Sequence, residues 1–286
     1  MPAAFTRNDT ASKVKTLYVT DLDGTLLNSH DTIDPASIEI INFLVDQGML
    51  FTYATARSLV SASVAAEGLS TEIPVIAYNG AFILEPASGK IIASEGFQKA
   101  ETDRVVEVLK EYNISPLVYS FIENAEKVSW VLDRENEGIR RYLSKRKGDR
   151  RLRPLISDKD LYAGDMFYFT CIGEKEQLQS VYDIFSEDDS YTCTLQQELY
   201  RPEYWCEIMP RKATKANAVQ KLKTLWNCDR VVSFGDAIND IPMFQISDEC
   251  YAVENAVEEL KKIATDVIGS NDDNGVALWL RQNVKI

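Results

Sequence analysis

The 286-residue sequence predicts an α/β fold, a Rossmann-like doubly wound parallel sheet with an inserted α+β cap domain. Three observations carry this prediction. Short, nearly continuous apolar strands alternate with amphipathic helices from "KTLYVTD" to "IPVIAYNGA", as expected of a parallel sheet covered on both faces. The alternation then stops, and hairpin-like and mixed segments follow. It returns at "ATKANAVQKLKTLW" and runs to the end of the chain, so one core is split by an insertion after its third strand.

Taken in order, residues 1–14 are polar and mixed and read as a flexible N-terminal tail. "KTLYVTD" is the first strand. "DPASIEIINFLVDQG" is a helix in which Asp34 suits the N-cap, Pro35 the first turn and Gly48 the stop. Its apolar face carries Ile38, Ile41, Leu44 and Val45. "LFTYAT" (strand), "RSLVSASVAAEG" (helix) and "IPVIAYNGA" (strand) complete a βαβαβ half. "FILEPASGKIIASEGF" reads as a hairpin. The inserted segment adds helices at "ETDRVVEVLKEY" and "EKEQLQSVYDIF" and strands at "VSWVLD" and "DMFYFTCIG". "RVVSFGD", "CYAVEN" and "DVIG" are the late strands, with helices at "NDIPMFQIS", "VEELKKIAT" and "GVALWLRQNV". The expected division is a core of residues 15–84 and 206–286 and a cap domain of residues 85–205.

Composition narrows the function. A hydrophobic fraction of 45% and a charged fraction of 26% are those of an ordinary globular protein. The net charge of −13 argues against a nucleic-acid partner, and no apolar run has membrane-spanning length. Five cysteines without a C-x-x-C pair read as reduced thiols, and the N-terminus lacks an apolar signal region. A cytoplasmic location is therefore expected. The single histidine, His30, lies in the polar turn "NSHD" and reads as a loop residue. Chemistry must then run on carboxylates, hydroxyls, lysine and a hard metal.

"VTDLDGTLL" ends an apolar strand in two carboxylates, Asp21 and Asp23, which share one side of an extended chain. The spacing alone is weak, since "SDKDL" repeats it at Asp158 and Asp160 in a polar stretch that reads as a solvated turn. Position separates the two pairs, because ligands bind at the carboxyl edge of an open α/β sheet. The turn through Leu22 and Gly24 into Thr25 can offer backbone N–H groups to an anion. "TYATAR" brings Thr55 and Arg57 to the second strand end, and "AYNG" brings Asn79 to the third. "VVSFGDAIND" adds Asp236, with Asn239 and Asp240 a helical turn on, and "RKATKANAV" places Lys215 at a helix start. Carboxylates at this density suit Mg²⁺.

In this order, "DLDGTLL", "TYATAR", "TKANAV" and "GDAIND" resemble the four motifs of the haloacid dehalogenase-like phosphatases. The insertion after "AYNGA" and the terminal "NGVALWL" are similar to the Cof-type subfamily with its large α/β cap. The resemblance runs from about residue 15 to the end, with the cap matched by position and size. It implies an Mg²⁺-dependent phosphatase of small phosphate monoesters, most often sugar phosphates, with pyridoxal phosphate or flavin mononucleotide as alternatives. Asp21 would be the nucleophile that becomes an aspartyl phosphate, and Asp23 the acid and base. Mg²⁺ would sit on the Asp21 carboxylate, the Asp23 carbonyl and Asp236, with Asp240 or Asn239 holding a metal-bound water. Thr55 would bond the phosphoryl group and Lys215 would pair with Asp21 and a phosphate oxygen. Leu22, Gly24, Arg57, Asn79 and Asn239 complete the expected phosphate surroundings. The partner is a small phosphorylated metabolite, the chain a monomer or weak homodimer, and the cap chooses the leaving group. A receiver-like regulatory protein would share the acidic cluster, but it needs neither Asp23 nor an insertion.

Two features stand apart. Thr55-Ala56-Arg57 replaces the family's Thr-Gly-Arg, so Ala56 is strained if its φ is positive, or narrows the pocket if it faces the ligand. The run "RRYLSKRKGDRRLRP", residues 140–154, holds eight basic residues against one acid and reads as a solvated face or a lure for anionic substrate.

Overall fold

The structure, a computed structural model, describes residues 14–123, 125–197 and 201–285; the expected N-terminal tail, apart from Val14, lies outside them. In chain order the first elements are β1 (Thr16–Asp21), α1 (Pro35–Asp46), β2 (Leu50–Ala54), α2 (Leu59–Ala65), β3 (Val75–Ala77), β4 (Phe82–Glu85) and β5 (Lys90–Ser94). Next come α3 (Lys99–Glu111), β6 (Leu117–Ile122), β7 (Ala125–Val131), α4 (Glu137–Ser144), β8 (Leu152–Leu155), β9 (Asp165–Gly173), α5 (Lys175–Ser186), β10 (Tyr191–Gln197) and β11 (Tyr204–Pro210). The chain closes with α6 (Lys215–Leu225), β12 (Arg230–Gly235), α7 (Ile241–Gln245), β13 (Glu249–Val253), α8 (Glu258–Lys261), β14 (Asp266–Ile268) and α9 (Gly275–Asn283). The described residues form two compact units, one of residues 14–77, 83–90 and 218–285, the other of residues 78–82 and 91–217.

The first sheet has the order β14-β13-β12-β1-β2-β3-β4-β5, and its strands from β14 to β3 pair in parallel. Leu17, Val19, Phe51, Val231 and Phe234 are buried in its central strands, the pattern of a sheet covered on both faces. α1 starts as its sequence dictates: Asp34 accepts from the Ala36 N–H at 2.8 Å and Pro35 stands at the first position. Gly48 follows the helix at φ 98°, a conformation that favours glycine. The parallel order places β1 between β12 and β2, so the carboxyl ends of all three share one edge.

The second unit is built on a six-stranded sheet of order β10-β11-β9-β6-β7-β8, antiparallel except for β7 with β8. Val105, Val108 and Leu109 of α3 and Leu178, Val181 and Phe185 of α5 share its core with Val118, Phe169, Cys206 and Ile208. β11 is paired on both sides inside this sheet, so the sheet continues past the division expected at residue 205. β6, β8, β10, β11 and α4 are additions to the sequence reading. The basic run forms the end of α4, a turn and β8, and five of its six arginines are engaged within the unit. Arg140 donates to the Glu135 carbonyl at 2.8 Å, Arg141 pairs with Glu137 at 2.8 Å, and Arg146 lies 3.7 Å over the Tyr142 ring. Arg151 pairs with Asp149 at 2.6 Å and Glu126 at 2.7 Å, and Arg153 donates to Ser129 at 3.2 Å. Asp158 and Asp160 are exposed on a short 3₁₀ turn. The five cysteines are free thiols. Among the described residues no helix is long and apolar enough to cross a membrane.

Candidate active site

β1 delivers Asp21, 4% exposed, to the carboxyl edge of the first sheet. The chain then turns through Leu22–Leu26, closed by a bond from the Leu27 N–H to the Leu22 carbonyl at 2.8 Å. Leu22 puts its side chain in the core, so only its backbone can serve a ligand. Gly24 is required at its position twice over: φ is 76°, and a Cβ there would lie 2.5 Å from Asp236 Oδ2. Two amides brace the turn. Asn255 Nδ2 donates to the Gly24 carbonyl at 2.7 Å, and Asn271 Nδ2 to the Leu27 carbonyl at 2.9 Å. The Asn271 N–H donates in turn to Asn255 Oδ1 at 3.0 Å.

The register of β1 with β12 sets Thr20 beside Phe234, so Asp236 emerges next to the β1 turn. Thr25 Oγ1 donates to Asp236 Oδ1 at 2.8 Å. Asp240, fully buried, accepts through Oδ2 from the N–H groups of Asp236 and Ala237, both at 3.1 Å. One carboxylate oxygen from each of Asp21, Asp236 and Asp240 lies within 4.8 Å of the others. Three largely buried like charges repel strongly, and an all-oxygen donor set matches a hard divalent cation. Asn239 is exposed on the turn Ile238–Asp240.

Asp23 takes a separate path. Its carboxylate is gripped by Arg57, whose Nε donates to Oδ1 and Oδ2 at 3.0 Å each and whose Nη2 donates to Oδ1 at 2.5 Å. The Asp23 hydrogen bond raises the Arg57 pKa, against the opposing pull of burial. Thr55, fully buried after β2, donates its N–H to the Ile76 carbonyl at 2.8 Å and accepts from the Arg57 N–H at 3.0 Å through Oγ1. That hydroxyl keeps its own hydrogen to donate. Ala56 is exposed and is not among the residues with positive φ, so the strain weighed for it does not arise. His30 is exposed in its loop, its N–H bonded to Asn28 Oδ1 at 2.9 Å.

The first unit thus brings Asp21, Leu22, Asp23, Gly24, Thr55, Arg57, Asp236, Asn239 and Asp240 to neighbouring strand ends and turns of one sheet. Lys215 and Asn79 fall in the second unit. Lys215 is the first residue of α6 and is 3% exposed. Asn79 sits at φ 53° in the turn Tyr78–Gly80, and its buried Oδ1 accepts no hydrogen bond from the described residues. Thr25, Asn255 and Asn271 were missed as side chains that build the site. Asn255 carried a signal, since it closes the strand segment "CYAVEN" at the ligand-binding edge.

The sequence matches the family described as haloacid dehalogenase-like hydrolase over residues 18–280. It is 29% identical over 284 residues to the 5-amino-6-(5-phospho-D-ribitylamino)uracil phosphatase YwtE of Bacillus subtilis (strain 168), covering 92% of this chain and 96% of that protein. A second 5-amino-6-(5-phospho-D-ribitylamino)uracil phosphatase of that organism, YitU, is 24% identical over 285 residues, covering 93% of this chain and 96% of that protein. Among solved structures, TM0651 from Thermotoga maritima superposes with a TM-score of 0.75 at 27% identity, covering 96% of this chain and 98% of that one.

Proposed function

Given that the chain belongs to the haloacid dehalogenase-like hydrolases, we propose that it is an Mg²⁺-dependent phosphatase acting on small phosphate monoesters through an aspartyl phosphate on Asp21. Its family and its phosphatase relatives make it a phosphoric monoester hydrolase. One observation supports the finer reading most directly. Asp21, Asp236 and Asp240 converge at one strand edge, while Asp23, two residues from the nucleophile, is held by Arg57.

In the first half-reaction a carboxylate oxygen of Asp21 attacks phosphorus. The bond to the leaving oxygen breaks as Asp23 gives that oxygen a proton. In the second, water attacks the same phosphorus and Asp23 takes its proton. Inorganic phosphate leaves and the Asp21 carboxylate is restored. The Thr55 hydroxyl and the turn N–H groups of Leu22 and Gly24 donate to phosphoryl oxygens, with Asn79 and Asn239 orienting the ester. Lys215 supplies positive charge for the approach of a phosphate to Asp21. Asp21, Asp236, Asp240 and the Asp23 carbonyl would hold Mg²⁺, which when bound neutralises part of the charge gathered there.

Sugar phosphates are the favoured substrate class, with pyridoxal phosphate and flavin mononucleotide as the alternatives. Sugars phosphorylated at the terminal carbon, pyridoxal phosphate and flavin mononucleotide carry phosphate on a primary carbon, as does the phosphoribityl compound named for the Bacillus relatives. A primary alcohol is a poor leaving group, which is where a proton from Asp23 matters most. The test is phosphate release from a panel of such esters with Mg²⁺, with EDTA, and with Asp21→Asn. Release that needs both Mg²⁺ and Asp21 is expected, with a loss of at least about 10³-fold in the variant. Release that survives either treatment, or no release from a folded protein, overturns the proposal.

A further inference from the structure

We propose that Arg57 is a positioning residue for Asp23, fixing the orientation of the acid–base carboxylate, and is not a ligand of the phosphate; the inference rests on the phosphatase reading. Asp23 needs such a partner. It lies on a turn at φ −69° and ψ 117°, precedes Gly24 at φ 76°, and its side chain is 47% exposed, so packing alone leaves its rotamer free. A guanidinium fork removes that freedom, because N–H groups in one plane bonded to both oxygens set the plane of the carboxylate as well as its position.

Arg57 is itself well anchored. Its backbone N–H is bonded to the hydroxyl of the fully buried Thr55 at 3.0 Å, and its side chain is 24% exposed. It therefore ties the turn after β1 to the end of β2, two neighbouring strands of one sheet. The charge balance points the same way. Arg57 faces Asp23 and also Asp31, 3.4 Å from Nη2, so two carboxylates already answer its one positive charge. Little net attraction is left for a phosphate dianion. Proton transfer, in contrast, is directional, and a carboxyl that must first give and then take a proton gains from a fixed plane in both half-reactions.

The test separates orientation from phosphate binding by the leaving group. An alkyl phosphate needs a proton on its departing oxygen, whereas p-nitrophenolate leaves without one. Single-turnover cleavage of an alkyl phosphate and of p-nitrophenyl phosphate would be followed in the full-length Mg²⁺-loaded protein and in Arg57→Ala, Arg57→Lys and Asp31→Asn. For Arg57→Ala we expect the alkyl rate to fall at least about tenfold, the aryl rate to stay within about threefold, and KM to move little. Arg57→Lys, which keeps the charge but not the fork, should recover less than half of the loss, and Asp31→Asn should match the wild type. Equal losses on both esters with a raised KM would make Arg57 a phosphate ligand and overturn the proposal. Equal losses with a lowered Tm, or no loss at all, would overturn it too. A wild type inactive on both esters, or an Asp21→Asn variant active on them, would instead fell the phosphatase reading and is seen before any Arg57 variant is made.

Discussion

Thr25 Oγ1 donates to Asp236 Oδ1 at 2.8 Å, so a hydroxyl from the β1 turn aims a carboxylate from the end of β12 toward Asp21. Thr25→Val keeps the shape and removes the donor. The Mg²⁺ concentration for half-maximal phosphate release should rise about tenfold, the usual loss when a group that orients a metal ligand is removed, while Tm changes little. A titration of activity against Mg²⁺ reads this directly. The same scale shows why some of the site was legible and some was not. Asp21 and Asp23 were visible because strand alternation and the end of an apolar run are sequence patterns. Ala56 could be named as a departure, but only its backbone conformation could show that it is unstrained. Asn255 and Asn271 act by donating amide hydrogens to carbonyls more than 200 positions away in the chain, a relation that leaves no local spacing behind.

Helices and strands with strong periodicity or clear ends were readable one by one. α1 has a cap, a proline and a glycine stop, and α3 and α5 present apolar stripes to the second sheet. α4 was hidden, since it lies in a segment rich in basic residues, and only the structure shows them engaged locally, with Glu137, the Glu135 carbonyl and the Tyr142 ring. β10 and β11 were hidden because a strand such as "YTCTLQQ", with six of its seven residues partly buried or exposed, lacks a clean alternation. Packing between elements also imposes demands that composition does not announce. Gly275 opens α9 so close to the β14–α9 loop that a Cβ would lie 1.9 Å from the Gly269 carbonyl oxygen. Gly275→Ala cannot be accommodated without moving that backbone, and Tm should drop by more than about 5 °C in a thermal melt.

Across the whole molecule, the net charge of −13 coexists with a second unit whose sheet buries charged groups of its own. Glu207, on β11 between β10 and β9, has its pKa raised by desolvation, against the hydrogen bonds of Tyr168 and Thr194 that favour the carboxylate. A carboxyl raised in the folded state holds its proton more tightly there than in the unfolded chain. Its contribution to stability is therefore full below the ordinary value of 4.5 and is lost as pH rises through the folded value. Glu207→Gln should thus melt at a higher temperature than the wild type at pH 8, with the difference gone near pH 4, as paired melts would show. By itself the sequence determined the α/β class, the inserted domain and the edge at which Asp21, Thr55 and Asp236 emerge, because parallel strands joined by crossovers all present their carboxyl ends on one side. Tertiary structure alone decided which acids meet. Asp21, Asp236 and Asp240 come together while Asp23 turns to Arg57, since the paths of the turns set these distances through space and no spacing along the chain encodes them.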